Sequence, residues 1–381
     1  MARLGDYIEQ IRGVSYKPED VCSAQDKNAV AILRANNIQD DGLNFDDLVY
    51  VKKSKVSATQ YIKAGDIVVC ASSGSKNLVG KAAIANEDME ISFGAFCKVV
   101  RPKELKPNYV GHYFQSSKYR NKISELAAGA NINNIRNEHI DELDIVVPNI
   151  DEQERISIEL DKVCNLISLR KQQLSKLDEL VKSRFIELFI GKGYPTKTVD
   201  EVSVGKGEYG AQSASTAYDP TRPRYVRITD INDDGTLNDD VVASANLDDD
   251  EQYKLEYGDF MFARMGATVG KTYAFIEGNQ IFAGYLIRYR LNQELINPRY
   301  LYWYTRLDEY WNWVKLNQSG AAQPGINAKK YGSLQIPLPP IKDQDTFAAF
   351  VEQTDKSKFE IQKSLEKLET LKKALMQKYF G

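Results

Sequence analysis

Gly266-Ala-Thr-Val-Gly270-Lys271-Thr272 carries the glycines, lysine and hydroxyl of a phosphate cradle. That chemistry needs four residues between the glycines, so that successive backbone N–H groups wrap the phosphates. Here there are three, and the matching stretch earlier in the chain has five between Gly74 and Gly80. A glycine-rich loop that changes length in this way reads as a surface loop. Gly205-Lys-Gly207-Glu-Tyr-Gly210 spells a dinucleotide pattern but lacks the helix that must follow it. Asp230-Ile-Asn232-Asp-Asp234-Gly235 begins like a calcium loop, yet Val241 stands where a bidentate Glu is required. It reads as a turn after a strand. The Asn/Asp-Pro-Pro-Tyr/Phe phrase of amino-methylating enzymes is absent, since Pro339-Pro340 lies between Leu338 and Ile341. His112 and His139, the two histidines of the chain, have no Ser or Cys partner in a recognisable setting. Cys22, Cys70, Cys97 and Cys164 form no C-x-x-C pair, so reduced thiols in a cytoplasmic setting are expected and a zinc site is not. The sequence shows no catalytic constellation and no metal site.

What it does show is repetition. Shifted by about 191 positions, the two halves align from end to end. Arg34-Ala-Asn-Asn-Ile-Gln-Asp-Asp-Gly42 matches Arg227-Ile-Thr-Asp-Ile-Asn-Asp-Asp-Gly235, and Gly65-Asp66 matches Gly258-Asp259. LDIVVPNIDEQ (143–153) matches LQIPLPPIKDQ (334–344). Each half ends on one phrase, KLDELVKSRFIELF at Phe189 and KLETLKKALMQKYF at Phe380. A chain built twice over has a pseudo-two-fold form, which suits a ligand with two half-sites, and duplex DNA is the commonest of these.

The elements that position these loops follow the same order twice. Apolar runs after Gly-Asp turns, IVVCAS (67–72) and FMFAR (260–264), read as strands, as do FCKVVRP (96–102) and YLIRYRL (285–291). A helical piece with spaced aromatics follows, from Pro107 to about Leu126 and from Pro298 to about Leu316. Then no Pro or Gly interrupts the chain from Asp151 to Ile190. Leu160, Val163, Ile167, Leu174, Leu177, Val181 and Leu188 form one apolar stripe there, and Ile361, Leu365, Leu368, Leu371 and Leu375 form its counterpart. About 40 residues give a rod of roughly 60 Å. The two rods are natural partners, antiparallel, with a globular domain at either end. The fold class expected is α+β: two pseudo-two-fold-related α/β domains joined by two long helices forming an antiparallel coiled-coil pair. The expected boundaries are 1–150, 151–193 for the central helix, 194–340, and 341–381 for the second helix.

A length of 381 residues accommodates two such domains. No long apolar stretch predicts a membrane span, and MARLGDYIEQ carries charges where a signal peptide would be apolar. The net charge of −3 is unusual for a free-standing nucleic-acid binder. Local positive faces suffice for binding, and other subunits would share the work.

The helix phrase at Leu177–Phe189, its echo at Leu368–Phe380, and Gly320-Ala-Ala-Gln-Pro-Gly-Ile-Asn-Ala-Lys-Lys-Tyr before LQIPLPPIKDQ resemble the specificity (S) subunits of type I restriction-modification systems. The resemblance spans the whole chain. It implies two target recognition domains, each reading one half of a bipartite asymmetric DNA target, with the helices setting the spacer. It also implies docking of two modification (M) subunits and the joining of restriction (R) subunits. S-adenosylmethionine would belong to the M subunits and ATP with Mg to the R subunits, leaving this chain a non-catalytic reader. The helix repeat drifts, since Val181 corresponds to Lys372 and Ile167 to Lys358.

Base readers must be polar side chains and phosphate holders must be cations. In the first domain the candidates are Tyr16, Lys17, Arg34, Asn36, Asn37, Ser73, Ser75, Lys76, Asn77, Lys81, Asn131, Asn133, Asn134 and Arg136. In the second they are Lys206, Tyr209, Gln212, Arg227, Thr229, Arg264, Thr268, Lys271, Gln323, Asn327, Lys329 and Lys330. Arg34 and Arg227 hold equivalent repeat positions, so a shared structural role is the alternative for them. The alternative for the chain is a coiled-coil protein-interaction scaffold that reads no DNA.

Overall fold

The structure is a computed structural model, and it describes residues 1–75, 77–126, 133–320 and 324–381. The chain forms two compact units, residues 1–173 with 361–381, and residues 174–360.

In the first unit the two larger sheets are built from β1 (Ile8–Arg12), β2 (Ala29–Leu33), β3 (Val49–Lys52), β4 (Ile67–Cys70), β5 (Ala82–Ile84), β6 (Ile91–Phe93) and β7 (Cys97–Pro102). An antiparallel sheet runs β1-β7-β4-β5, with Val99 opposite Ile11 on one side and Val68 on the other. β4 is apolar throughout and buried at every position, as expected of a central strand covered on both faces. A second sheet runs β6-β2-β3, with β6 parallel to β2.

The second unit repeats the plan with β8 (Glu208–Tyr209), β9 (Arg224–Val226), β10 (Asp259–Ala263), β11 (Thr272–Ala274), β12 (Gln280–Phe282) and β13 (Leu286–Arg290). Its main sheet is β8-β13-β10-β11, and β9 lies parallel to β12. The halves differ in the partner of one strand. β3 pairs with β2, whereas the corresponding strand Ala243–Ala245 pairs with Ser215–Ala217 in an antiparallel ribbon.

The Gly-Asp turns before β4 and β10 are built alike. Gly65 and Gly258 take φ of +85° and +91°, where a side chain would be strained. Asp66 and Asp259 are buried, and each carboxylate accepts from the backbone N–H three residues earlier, of Lys63 at 2.8 Å and of Glu256 at 2.9 Å. Asp66 is further held by a two-pronged bond from Arg101, 2.7 Å on each prong. Asp259 has Arg288 at 3.5 Å, and burial raises its pKa above the usual carboxylate value.

The helical piece after each sheet is two helices rather than one, Pro107–Gln115 with Ser117–Leu126, and Pro298–Tyr304 with Asp308–Asn317. Ser116 breaks the first pair with extended backbone (ψ +150°). Two tyrosines of each pair are pinned identically. Tyr109 donates to Val146 O and Tyr113 to Asp144 O, while Tyr300 donates to Pro337 O and Tyr304 to Gln335 O. Gln153 and Gln344, buried in the first turns of the long helices, tie the helix starts down in the same way. Gln153 bridges Lys106 N–H and Pro148 O, and Gln344 bridges Asn297 N–H and Pro339 O.

The long helices span Ile150–Phe189 and Ile341–Phe380. In the first unit they run antiparallel, with Glu159 accepting from Tyr379 OH at 2.6 Å and Lys171 3.8 Å from Glu369. In the second unit they are antiparallel too, with Asp178 paired to Lys358 and Phe185 5.2 Å from Phe347 between ring centroids. Of the expected stripe, Leu160, Val163, Val181, Leu365 and Leu375 are buried, and Ile167, Leu174, Leu177, Leu188, Ile361 and Leu368 are half-buried. Leu371 is a correction, since it is 45% exposed. From Leu368 the buried face advances four residues to Lys372, not three, so Leu371 falls outside the seam. The helices also serve as core. Ile156 and Leu160 pack into the first unit with Leu375, Met376 and Phe380, while Val181, Phe185 and Phe189 pack into the second with Phe347 and Val351.

Candidate nucleic-acid interface

Gly210 forces the second unit's site into shape. A Cβ at Gly210 would sit 2.3 Å from Ala283 O, so only glycine lets the chain pass there. The residues that follow, Gln212 and Ser213, then lie beside the turn Ala283-Gly284-Tyr285. Together with Ser215, Arg227, Thr229 and Arg264 they line a cleft of about 730 Å³. Gln212, Thr229 and Arg264 are thus brought together as base-reading candidates, and Arg227 lines the same cleft with its guanidinium bonded to Asp230. Arg264 lies 4.7 Å over the ring of Tyr209. Tyr209 is exposed, and its hydroxyl accepts from Ala328 N at 3.2 Å. A cation stacked on an aromatic face keeps its edge N–H groups free for acceptors.

The first unit repeats the crossing at Gly13, where a Cβ would meet Gly94 O at 2.1 Å. Tyr16 follows it, half-buried against Gly94, and Lys17 is exposed near Glu19 at 3.8 Å. Ser72–Ser73 pairs with Asn133–Asn134, which brings Ser73 beside the Asn133 and Asn134 backbone. Ser75, Asn77, Asn134 and Arg136 are exposed. Arg120 pins this loop by donating to Val79 O and Asn77 O, at 2.9 and 3.0 Å. Lys76, Asn131 and Gln323 lie outside the described residues.

Several candidates are engaged within their own domains. Asn37 is a correction, being 1% exposed. Its Oδ1 accepts from Arg34 N at 2.8 Å and its Nδ2 donates to Asp46 O at 2.8 Å, so it caps a turn instead of facing a base. Asp230 does the same for Arg227 N at 2.9 Å. Arg34 and Arg227 both bend back onto carboxylates, of Asp47 at 2.7 Å and Asp230 at 2.8 Å, which is the shared structural role weighed for them. Lys81 and Lys271 are likewise equivalent, 3.4 Å from Asp40 and 2.8 Å from Asp233. Lys271 therefore serves a turn carboxylate in a loop that resembled a phosphate cradle. Lys206 is held by Asp200 at 2.5 Å, and Lys330 by Asn317 O at 2.7 Å. Asn327 caps the helix Ala328–Gly332 by accepting from Lys330 N, and Thr268 donates to Met265 O. Asn36 and Lys329 are exposed.

Sequence reasoning missed Ser213, Ser215 and Tyr285 in the cleft. The signal for Tyr285 was present, because aligning YLIRYRL with FCKVVRP sets an aromatic at the same place in both halves. Among the described residues no helix is long and apolar enough to cross a membrane, and no group of three or more His, Cys, Asp or Glu is poised to hold a metal.

Residues 1–179 and 195–373 each match the type I restriction modification DNA specificity domain. The chain is 30% identical over 397 residues to the type I restriction enzyme StySPI specificity subunit of Salmonella potsdam, covering 97% of this chain and 86% of that protein. It is also 30% identical over 404 residues to the EcoKI specificity subunit of Escherichia coli, with the same coverage of 97% and 86%. Among solved structures, the type I restriction-modification S subunit from M. genitalium superposes with a TM-score of 0.62 at 16% identity, covering 100% of this chain and 95% of that one. At that identity the likeness speaks for the fold. With two tandem family domains covering nearly its whole length, the chain belongs to the type I restriction-modification DNA specificity family.

Proposed function

We propose that residues 1–150 read one half of a split, asymmetric duplex target and residues 194–340 read the other. The long helices, 151–193 and 341–381, fix the spacer and dock two modification subunits, and restriction subunits join the same assembly. The chain itself is a non-catalytic cytoplasmic reader. S-adenosylmethionine is held by the modification subunits and ATP with Mg by the restriction subunits.

The observation that carries this reading is the cleft that gathers Gln212, Thr229 and Arg264 on a frame shared by both halves. Amides and guanidinium groups are the side chains that discriminate adenine and guanine edges. A common frame with differing loops is what two different half-sites require. Support for docking comes from apolar side chains left exposed along the helices, Leu166 at 45%, Leu169 at 54%, Leu180 at 50% and Phe359 at 59%.

Binding of the chain and its modification subunits to duplex DNA, titrated against salt, tests the reading. Reader function predicts binding that weakens steeply as salt rises. Assembly with modification subunits but no DNA binding at low salt would favour the interaction scaffold.

A further inference from the structure

Two exposed rings occupy one position of the repeat. Phe96 is 68% exposed and Tyr285 is 54% exposed, each immediately ahead of a buried strand. Both sit third in a tight turn closed by the same bond, Cys97 N to Gly94 O and Leu286 N to Ala283 O, 2.8 Å in each case. The carbonyl of each aromatic is fixed as well. Ala71 N donates to Phe96 O at 2.8 Å, and Arg264 N, at the equivalent repeat position, donates to Tyr285 O at 3.0 Å. The crossings at Gly13 and Gly210 buttress these two turns from beneath. A large ring held on a rigid turn and left in water is unfavourable for an isolated domain.

We infer that Phe96 and Tyr285 are the paired aromatic contacts of the two recognition domains to duplex DNA, each packing its ring on the sugar–base wall of the groove. The inference rests on the DNA-reading function proposed above. DNA is the occupant chosen because Tyr285 shares its cleft with Arg264, Gln212, Ser213 and Thr229, a polar and cationic surround suited to phosphates and base edges. The two half-sites differ while the ring is common to both halves. The contact therefore adds affinity at each half without choosing its bases.

The experiment uses the full chain assembled with its modification subunits and a pool of random-sequence duplexes. Binding strength and the enriched motif are read for wild type, Phe96→Ala, Tyr285→Ala and Tyr285→Phe. Both alanine variants are expected to bind roughly tenfold more weakly while enriching the wild-type motif, and Tyr285→Phe to match wild type. Because both rings are exposed, thermal unfolding should not shift. Unchanged DNA affinity with weakened subunit assembly would assign the rings to a protein interface and overturn the inference. A changed motif in one half would also overturn it, since the ring would then be choosing bases. A wild-type complex that enriches no motif would overturn DNA reading itself, a failure distinct from the first two.

Discussion

The ring of Phe380 packs on the ring of Tyr109 with centroids 5.1 Å apart. Phe189 packs edge-on against Tyr300 at 5.0 Å. Each Phe closes the long helix of its own half of the sequence, yet each fills the core built around the tyrosine of the other half. Residues 361–381 accordingly belong to the first unit, and residues 174–189 to the second. Phe380→Ala should destabilise the first unit by about 3–5 kcal/mol and Phe189→Ala the second by a similar amount. Amide exchange would show this as lost protection at Pro107–Gln115 for Phe380→Ala and at Pro298–Tyr304 for Phe189→Ala. Loss in the opposite unit would contradict the exchange.

Lys98 gives a pH signature. It is 7% exposed, and among the described residues its ammonium is bonded to two side-chain amides, Gln10 at 3.0 Å and Asn137 at 2.9 Å. Burial pushes its pKa down from 10.5 to about 8, against the opposing pull of Asp141 and Glu138. Between about 8 and 10.5 the unfolded chain holds this proton and the folded chain has released it. Stability should therefore rise through that window as pH increases, and the cost of the buried charge is fully present below it. In Lys98→Met, denaturant unfolding measured across the window should lack this rise relative to wild type. The equivalent position in the second half is Ile287, which shows that the frame accepts an apolar side chain there.

Asn37 and Arg264 separate frame from reader. Asn37→Ala should lower stability by about 1 kcal/mol through loss of a cap and leave the DNA motif intact. Arg264→Ala should leave stability unchanged and relax one position in one half of the motif, by about 1–3 kcal/mol of discrimination. Unfolding curves together with motif enrichment distinguish the two outcomes.

The internal repeat made the frame legible. Gly-Asp turns, aromatic helices and the two long helices follow from periodicity, and each recurs at its expected place. The site was less legible, because polar letters do not reveal whether a side chain is spent on its own backbone. Asn36 and Asn37 are adjacent and identical in type, yet one is exposed and the other buried. The drifting stripe misled at Leu371 for a related reason, since four-residue and three-residue steps look alike until burial chooses between them. Phe96 and Tyr285 were visible as a matched pair, but a strand pattern that predicts burial conceals the residue just ahead of it.

The spacer offers a geometric prediction. Inserting about seven residues, two helical turns, into both long helices at equivalent places should lengthen the gap between half-sites and leave their bases unchanged. Altered half-sites at constant spacing would contradict the ruler role.

The most direct test of the whole account is methylome sequencing of a host that expresses this chain with its cognate modification subunit, with a Leu177–Phe189 deletion as control. The account predicts DNA methylation at a single split motif, lost on deletion. Absence of chain-dependent methylation, with the modification subunit shown to be competent, would contradict it.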